Sequence, residues 1–135
     1  MSDKDFVDTT IRVRYAETDT MGIVHHSNYI VYFEEGRSDF GRATGHPVTE
    51  LERAGYFLAV TEVNVRYMRP AVYDQIITLR TRLTGVQSRG LSFAYEIRDA
   101  ENGDLLVTGS TKHICITRDG KAARLPEAWR DWSLD

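Results

Sequence analysis

Apolar residues recur every three or four positions from Tyr29 to Ala43, and every second position through most of the chain after Tyr56. Those two periods restrict the chain to one long helix followed by a run of strands. Tyr29, Tyr32, Phe33, Gly36, Phe40 and Ala43 make the helical stripe, and Ile30 and Val31 widen it. The spacing predicts a helix of about 17 residues, about 25 Å long, ending near Gly45. Apolar over more than half its circumference, it is expected to be largely enclosed. Ser27 and Asn28 are the expected N-cap residues and Gly45 the expected C-cap.

Ahead of the helix, residues 9–16 alternate, with Ile11, Val13 and Tyr15 on one side and Arg12 and Arg14 on the other. That pattern predicts a half-buried strand. After the helix, residues 50–53 form a short helical turn closed by Gly55. Strands are then expected over 56–68, 75–86, 91–98 and 105–117, the first stopped by Pro70, which cannot continue central pairing. Ser88-Arg89-Gly90 reads as a tight hairpin, and Asn102-Gly103 is the strongest turn signal in the chain. Trp129 and Trp132, three apart, are expected to dock one last helical turn. One strand, one helix and a long antiparallel meander define an α+β chain, with the helix packed against one face of a curved sheet. No repeat or linker interrupts 135 residues, so a single domain over 1–135 is expected.

Composition removes several functional classes. A net charge of −3 and a pI near 5.8 argue against a general nucleic-acid binder, which needs a broad basic face. No apolar run approaches a membrane span, and Met1 to Asp5 lacks the apolar core of a signal peptide. A cytoplasmic protein with no membrane insertion is the expectation. Cys115 is the only cysteine, so no intramolecular disulfide or cysteine-based zinc site can form, and it reads as a small buried hydrophobe. His25, His26, His46 and His113 lack the spacing of a metal site.

Chemistry concentrates between Tyr15 and Tyr29. Asp19 lies in the polar turn Thr18-Asp19-Thr20, Gly22 lets the backbone bend or approach a ligand, and the helix start follows. A helix start presents unpaired N–H groups and about half a positive charge, which polarises a carbonyl oxygen beside an attacking carboxylate. Spacing alone does not decide the matter, because an Asp in a turn commonly caps its own backbone.

The strings Arg14-Tyr-Ala-Glu-Thr-Asp19, Met21-Gly-Ile-Val-His-His-Ser-Asn-Tyr29 and Tyr32-Phe-Glu-Glu-Gly-Arg37 closely resemble the hotdog-fold acyl-CoA thioesterases. The type is that of 4-hydroxybenzoyl-CoA thioesterase, including the enzymes encoded with the Tol-Pal system. Arg66-Tyr-Met-Arg-Pro-Ala71 and Ser88-Arg-Gly90 extend the resemblance over nearly the whole chain. It implies an antiparallel sheet wrapped around a long central helix, and hydrolysis of a small or medium acyl-CoA to free acid and CoA. The family's catalytic acid falls on Asp19, as nucleophile or general base, and its Tyr or His past the glycine falls on His26. Gly22 and Val24 would line the substrate. Arg89 and Arg118, with Lys121 and Arg124, would face the CoA phosphates, and Tyr56 and Phe57 are candidates for an acyl pocket. Glu34 and Glu35 are the alternative acids, since some hotdog thioesterases place their carboxylate on the helix. No metal or redox cofactor is implied, only CoA within the substrate.

The resemblance also implies a homodimer or homotetramer with sites shared between subunits, and the long strand from Tyr56 would otherwise be an open edge. Two other readings are a hotdog dehydratase or hydratase, which pairs a His with a helix acid, and a non-catalytic acyl-CoA-binding module. The D-x-x-G-I-V-H-H string from Asp19 to His26 disfavours the first, and the presence of Asp19 the second.

Overall fold

The computed structural model describes residues 6–132; the polar segment Met1 to Asp5 lies outside them. Five strands and one long helix account for most of the chain: β1 (Phe6–Arg12), α1 (Asn28–Ala43), α2 (Val48–Arg53), β2 (Tyr56–Tyr67), β3 (Ile76–Gln87), β4 (Gly90–Asp99) and β5 (Leu105–Thr117). All pairings are antiparallel, in the order β1-β3-β4-β5-β2. This sheet, with its single long helix across one face, is the hotdog fold. None of the described helices is long and apolar enough to cross a membrane.

The period-two pattern sets the core. Ile77, Leu79, Leu91, Phe93, Tyr95, Ile97, Val107 and Cys115 all face inward and are buried. Burial pushes the Cys115 thiol pKa up, as suits an inert core residue. Helix α1 lies on this surface through Tyr29, Tyr32, Phe33, Gly36 and Phe40. The Phe33 ring stacks flat on Tyr95 with centroids 4.1 Å apart. At Gly36 the helix touches β3 so closely that a Cβ would sit 2.3 Å from Thr81 Oγ1. Trp129 is buried in the final turn Glu127–Trp129, and Trp132 stacks on His46 at 3.9 Å, so the tail docks as expected.

Three local expectations need correction. The helix is covered on one side only: Ile30 and Val31 are 39% and 55% exposed, because a single five-stranded sheet does not close around it. Strand β1 starts earlier than expected and stops at Arg12. Tyr15 turns outward, 76% exposed, in the short turn Tyr15–Glu17, while Glu17 is drawn inside by Arg14. Ser27 occupies the N-cap position without capping, since its hydroxyl bonds His25 Nδ1 at 2.8 Å. Asn28 is already helical and spends its amide on the Glu17 carbonyl.

Candidate active site

Between β1 and α1 the chain folds into a tight loop. Asp19 donates its N–H to the Ile23 carbonyl and accepts the Gly22 N–H, and Gly22 takes φ +80°, a conformation L side chains rarely adopt. The Met21 N–H donates to Asp19 Oδ1 at 2.8 Å. One carboxylate oxygen therefore caps the turn, as the bland reading of an Asp in this position had it. The side chain is nonetheless exposed, and it borders a cleft of about 320 Å³ with Val24, His26, Tyr29, Tyr67 and Arg69. Asp19 and His26 thus meet in one cleft. Gly22 serves the turn behind it, where its carbonyl accepts the Tyr73 N–H.

The loop is held from behind by a residue that sequence reasoning did not single out. Glu17 is buried and accepts the Arg14 N–H at 2.8 Å, the Tyr32 hydroxyl at 2.8 Å and the Arg14 guanidinium at 2.9 Å. Burial alone would raise its pKa; the Arg14 N–H, the Tyr32 hydroxyl and the Arg14 side chain outweigh burial and hold it below the ordinary carboxylate value. Its carbonyl accepts the His25 N–H at 2.9 Å and the Asn28 amide at 2.8 Å. One residue therefore fastens the loop before Asp19, the residues after it and the helix start. The available signal was Arg14 and Glu17 at i and i+3, the spacing of a capping box.

His26 sits one residue ahead of the N-cap. The His25 carbonyl accepts the Asn28 N–H at 2.9 Å, which fixes the peptide plane joining His25 to His26. In a planar trans peptide the His26 N–H then points away from that turn. The Tyr67 hydroxyl donates to the His26 carbonyl at 3.0 Å, and Tyr67 packs edge-on against Tyr29 with centroids 5.5 Å apart. Tyr29 in turn accepts the Ala71 N–H. The segment Tyr67-Met68-Arg69-Pro70 forms one wall of the cleft, a role the resemblance had marked only as a shared string.

The other candidates fall elsewhere. Glu34 and Glu35 are exposed on α1, and neither borders the Asp19 cleft. Arg89 lies in the β3–β4 hairpin and Arg118 just past β5, its guanidinium 5.3 Å from the Phe57 ring centre. Both stand at the end of the sheet where β2 begins, whereas the cleft stands where β2 ends. Ten residues of strand separate Phe57 from Tyr67, about 33 Å at strand rise. Within one chain the expected phosphate ligands are far from the expected acid.

Against known proteins, a family model described as the thioesterase-like superfamily matches residues 13–133. The chain belongs to that superfamily and is an enzyme of the thioester-hydrolase class. It is similar to the hypothetical protein TT1821 from Thermus thermophilus, with 42% identity over 93% of this chain and 92% of that one, at a TM-score of 0.86. It is similar to the DHNA-CoA thioesterase of Staphylococcus aureus, with 36% identity over 89% and 80% of the two chains and a TM-score of 0.85. The acyl-CoA thioester hydrolase YbgC of Escherichia coli O6:H1 is 28% identical over 78% of each chain.

Proposed function

We propose that this thioester hydrolase cleaves acyl-CoA to a free acid and CoA, with Asp19 supplying the reacting carboxylate. The observation that carries this reading is the convergence in one cleft of an exposed carboxylate, the start of a 16-residue helix and a pinned backbone around His26. The relatives named for CoA thioesters supply the substrate class. Asp19 Oδ2 is free of the turn hydrogen bond and either attacks the thioester carbon, expelling CoA thiolate and leaving an anhydride that water opens, or removes the proton from attacking water. In both routes the thiolate leaves and takes up a proton, and negative charge grows on the carbonyl oxygen. The His26 N–H, beside the positive end of α1, is the donor for that oxygen, a contribution worth roughly a hundredfold or more in rate. The route needs no metal or redox cofactor.

The separation of Asp19 from Arg89 and Arg118 supports a homodimer. Among the described residues, strand β2 is a 12-residue edge bonded only to β5, with Val60 and Val63 exposed, a surface that invites pairing. Two β2 edges paired antiparallel about their middles would set the beginning of one against the end of the other. The basic end of one chain would then stand over the other chain's Asp19, where the CoA phosphates need it.

The test is release of free thiol from a panel of acyl-CoAs by the wild type and Asp19→Asn, with circular dichroism to check the fold. A loss of roughly a thousandfold in kcat/KM with the fold intact is expected. Turnover that survives the substitution would remove Asp19 from the chemistry.

A further inference from the structure

His26 lies between two peptide planes. The plane before it is fixed by the Asn28 N–H on the His25 carbonyl at 2.9 Å. The plane after it, the His26–Ser27 peptide, is held on both sides. Its carbonyl accepts the Tyr67 hydroxyl at 3.0 Å, its one hydrogen-bond partner among the described residues. Its N–H, that of Ser27, donates to His25 Nδ1 at 3.3 Å, and the Ser27 hydroxyl lies 2.8 Å from the same nitrogen. A backbone N–H can only donate, so Nδ1 accepts, and a neutral His25 carries its hydrogen on Nε2. The His25 ring then lies against the His26 ring, with centroids 4.2 Å apart and planes tilted by 32°. One peptide unit thus joins the Tyr67 hydroxyl on one side to the pair of imidazoles on the other. Tyr67, His25 and Ser27 are all exposed, and hydrogen bonds that compete with water add little to stability. These contacts therefore bear on geometry more than on folding. The Tyr67 ring is itself laid against Tyr29, whose hydroxyl accepts the Ala71 N–H.

We propose that Tyr67 and His25 are positioning residues for thioester cleavage, gripping the His26–Ser27 peptide from its two sides and so fixing the His26 N–H and ring in the cleft. The inference rests on the thioesterase reading. His26 lies outside α1, so the helix does not hold it, and without Tyr67 the plane turns about its two soft dihedrals. Misplacing a polarising group by about 1 Å costs up to roughly a hundredfold in rate. Neither side chain needs to touch the substrate. The Tyr67 hydroxyl hydrogen is spent on the His26 carbonyl, and His25 does not border the cleft.

The experiment measures kcat and KM separately for thiol release from acyl-CoA by the wild type, Tyr67→Phe, His25→Ala and the double variant. Tyr67→Phe keeps the ring against Tyr29 and removes only the hydroxyl. Each single substitution is expected to lower kcat about tenfold, with KM held within about twofold. Because both act through one peptide, the double variant should lose about as much as the worse single one, not the product of the two. An unchanged kcat, a loss carried by KM, or losses that multiply would overturn the proposal. If the wild type turns over no acyl-CoA, the thioesterase reading fails, and amide hydrogen exchange judges the grip separately. Tyr67→Phe should then speed exchange at Ser27 about tenfold and leave Met21 and Gly22 as they were. No change at Ser27, or a change shared by all three, would overturn it. Should a variant fail to fold, the imidazole nitrogen resonances of the wild type decide: His25 is expected as the Nε2–H tautomer, and the Nδ1–H tautomer would overturn the proposal.

Discussion

The two ends of β2 solve the same problem, a polar cluster beside helix α1, with opposite electrostatics. At the end of the strand, near the helix start, Glu17 is held as an anion by the Arg14 N–H, the Tyr32 hydroxyl and the Arg14 guanidinium. At its beginning, His113 is held neutral by burial and by Arg37. The anionic cluster lies behind an exposed carboxylate and fastens backbone, and the neutral one lies behind a cavity. Rigid polar support and reactive or binding groups are therefore carried by different residues. Asp19 can remain solvated because Glu17 does the holding.

The comparison depends most on both ends belonging to one site. Val60→Lys with Val63→Lys would place charge along the β2 edge without touching either cluster. If the wild type is the proposed dimer, a monomer by sedimentation, with a fall in kcat/KM of roughly a hundredfold or more, is expected of the variant; a fully active monomer would break the comparison outright. Next in size is Glu17→Gln, which replaces an anion accepting three hydrogen bonds. A loss of about 2–3 kcal/mol in urea unfolding is expected. Because the folded pKa of Glu17 is depressed, its contribution is present above the unfolded value of 4.5 and is lost as pH falls through the folded value. The variant should therefore lose the part of the wild type's acid destabilisation that lies below pH 4.5.

An effect of similar size concerns His113. Its folded pKa, about 4 against an ordinary 6.5, makes the unfolded chain bind more protons between those values. Stability from this group is complete above pH 6.5 and is lost as pH falls toward 4, by on the order of 2–3 kcal/mol. His113→Leu should flatten that part of the stability curve and leave the part below pH 4 in place. A slope unchanged between pH 6.5 and 4 would show that His113 is not the neutral partner described here.

Periodicity made the architecture legible, because alternation fixes which side chains of a strand share a face. Leu91, Phe93, Tyr95 and Ile97 were readable as one buried row, and Asn102-Gly103 as the turn that follows. Residues 105–117 appear as strand β5 without change. What stayed hidden depended on distance across the fold. Glu17 looks like any loop acid until Tyr32, fifteen residues on, is seen to donate to it. Arg89 and Arg118 looked like plausible companions of Asp19, and only the sheet order places them at the opposite end of β2. Ile30 and Val31 read as buried because apolar width on a helix does not say how far one sheet can curve around it.

Subunit complementation tests most directly the claim that one chain's Asp19 works with the other chain's basic end. Asp19→Asn and the double variant Arg89→Ala with Arg118→Ala, each poorly active alone, would be differently tagged, co-expressed and purified as a mixed dimer. A shared site predicts that the mixed dimer regains one working site, pairing Asp19 of one chain with Arg89 and Arg118 of the other. If each site were built within a single chain, both sites of the mixed dimer would stay defective, and no recovery of thiol release would contradict the account.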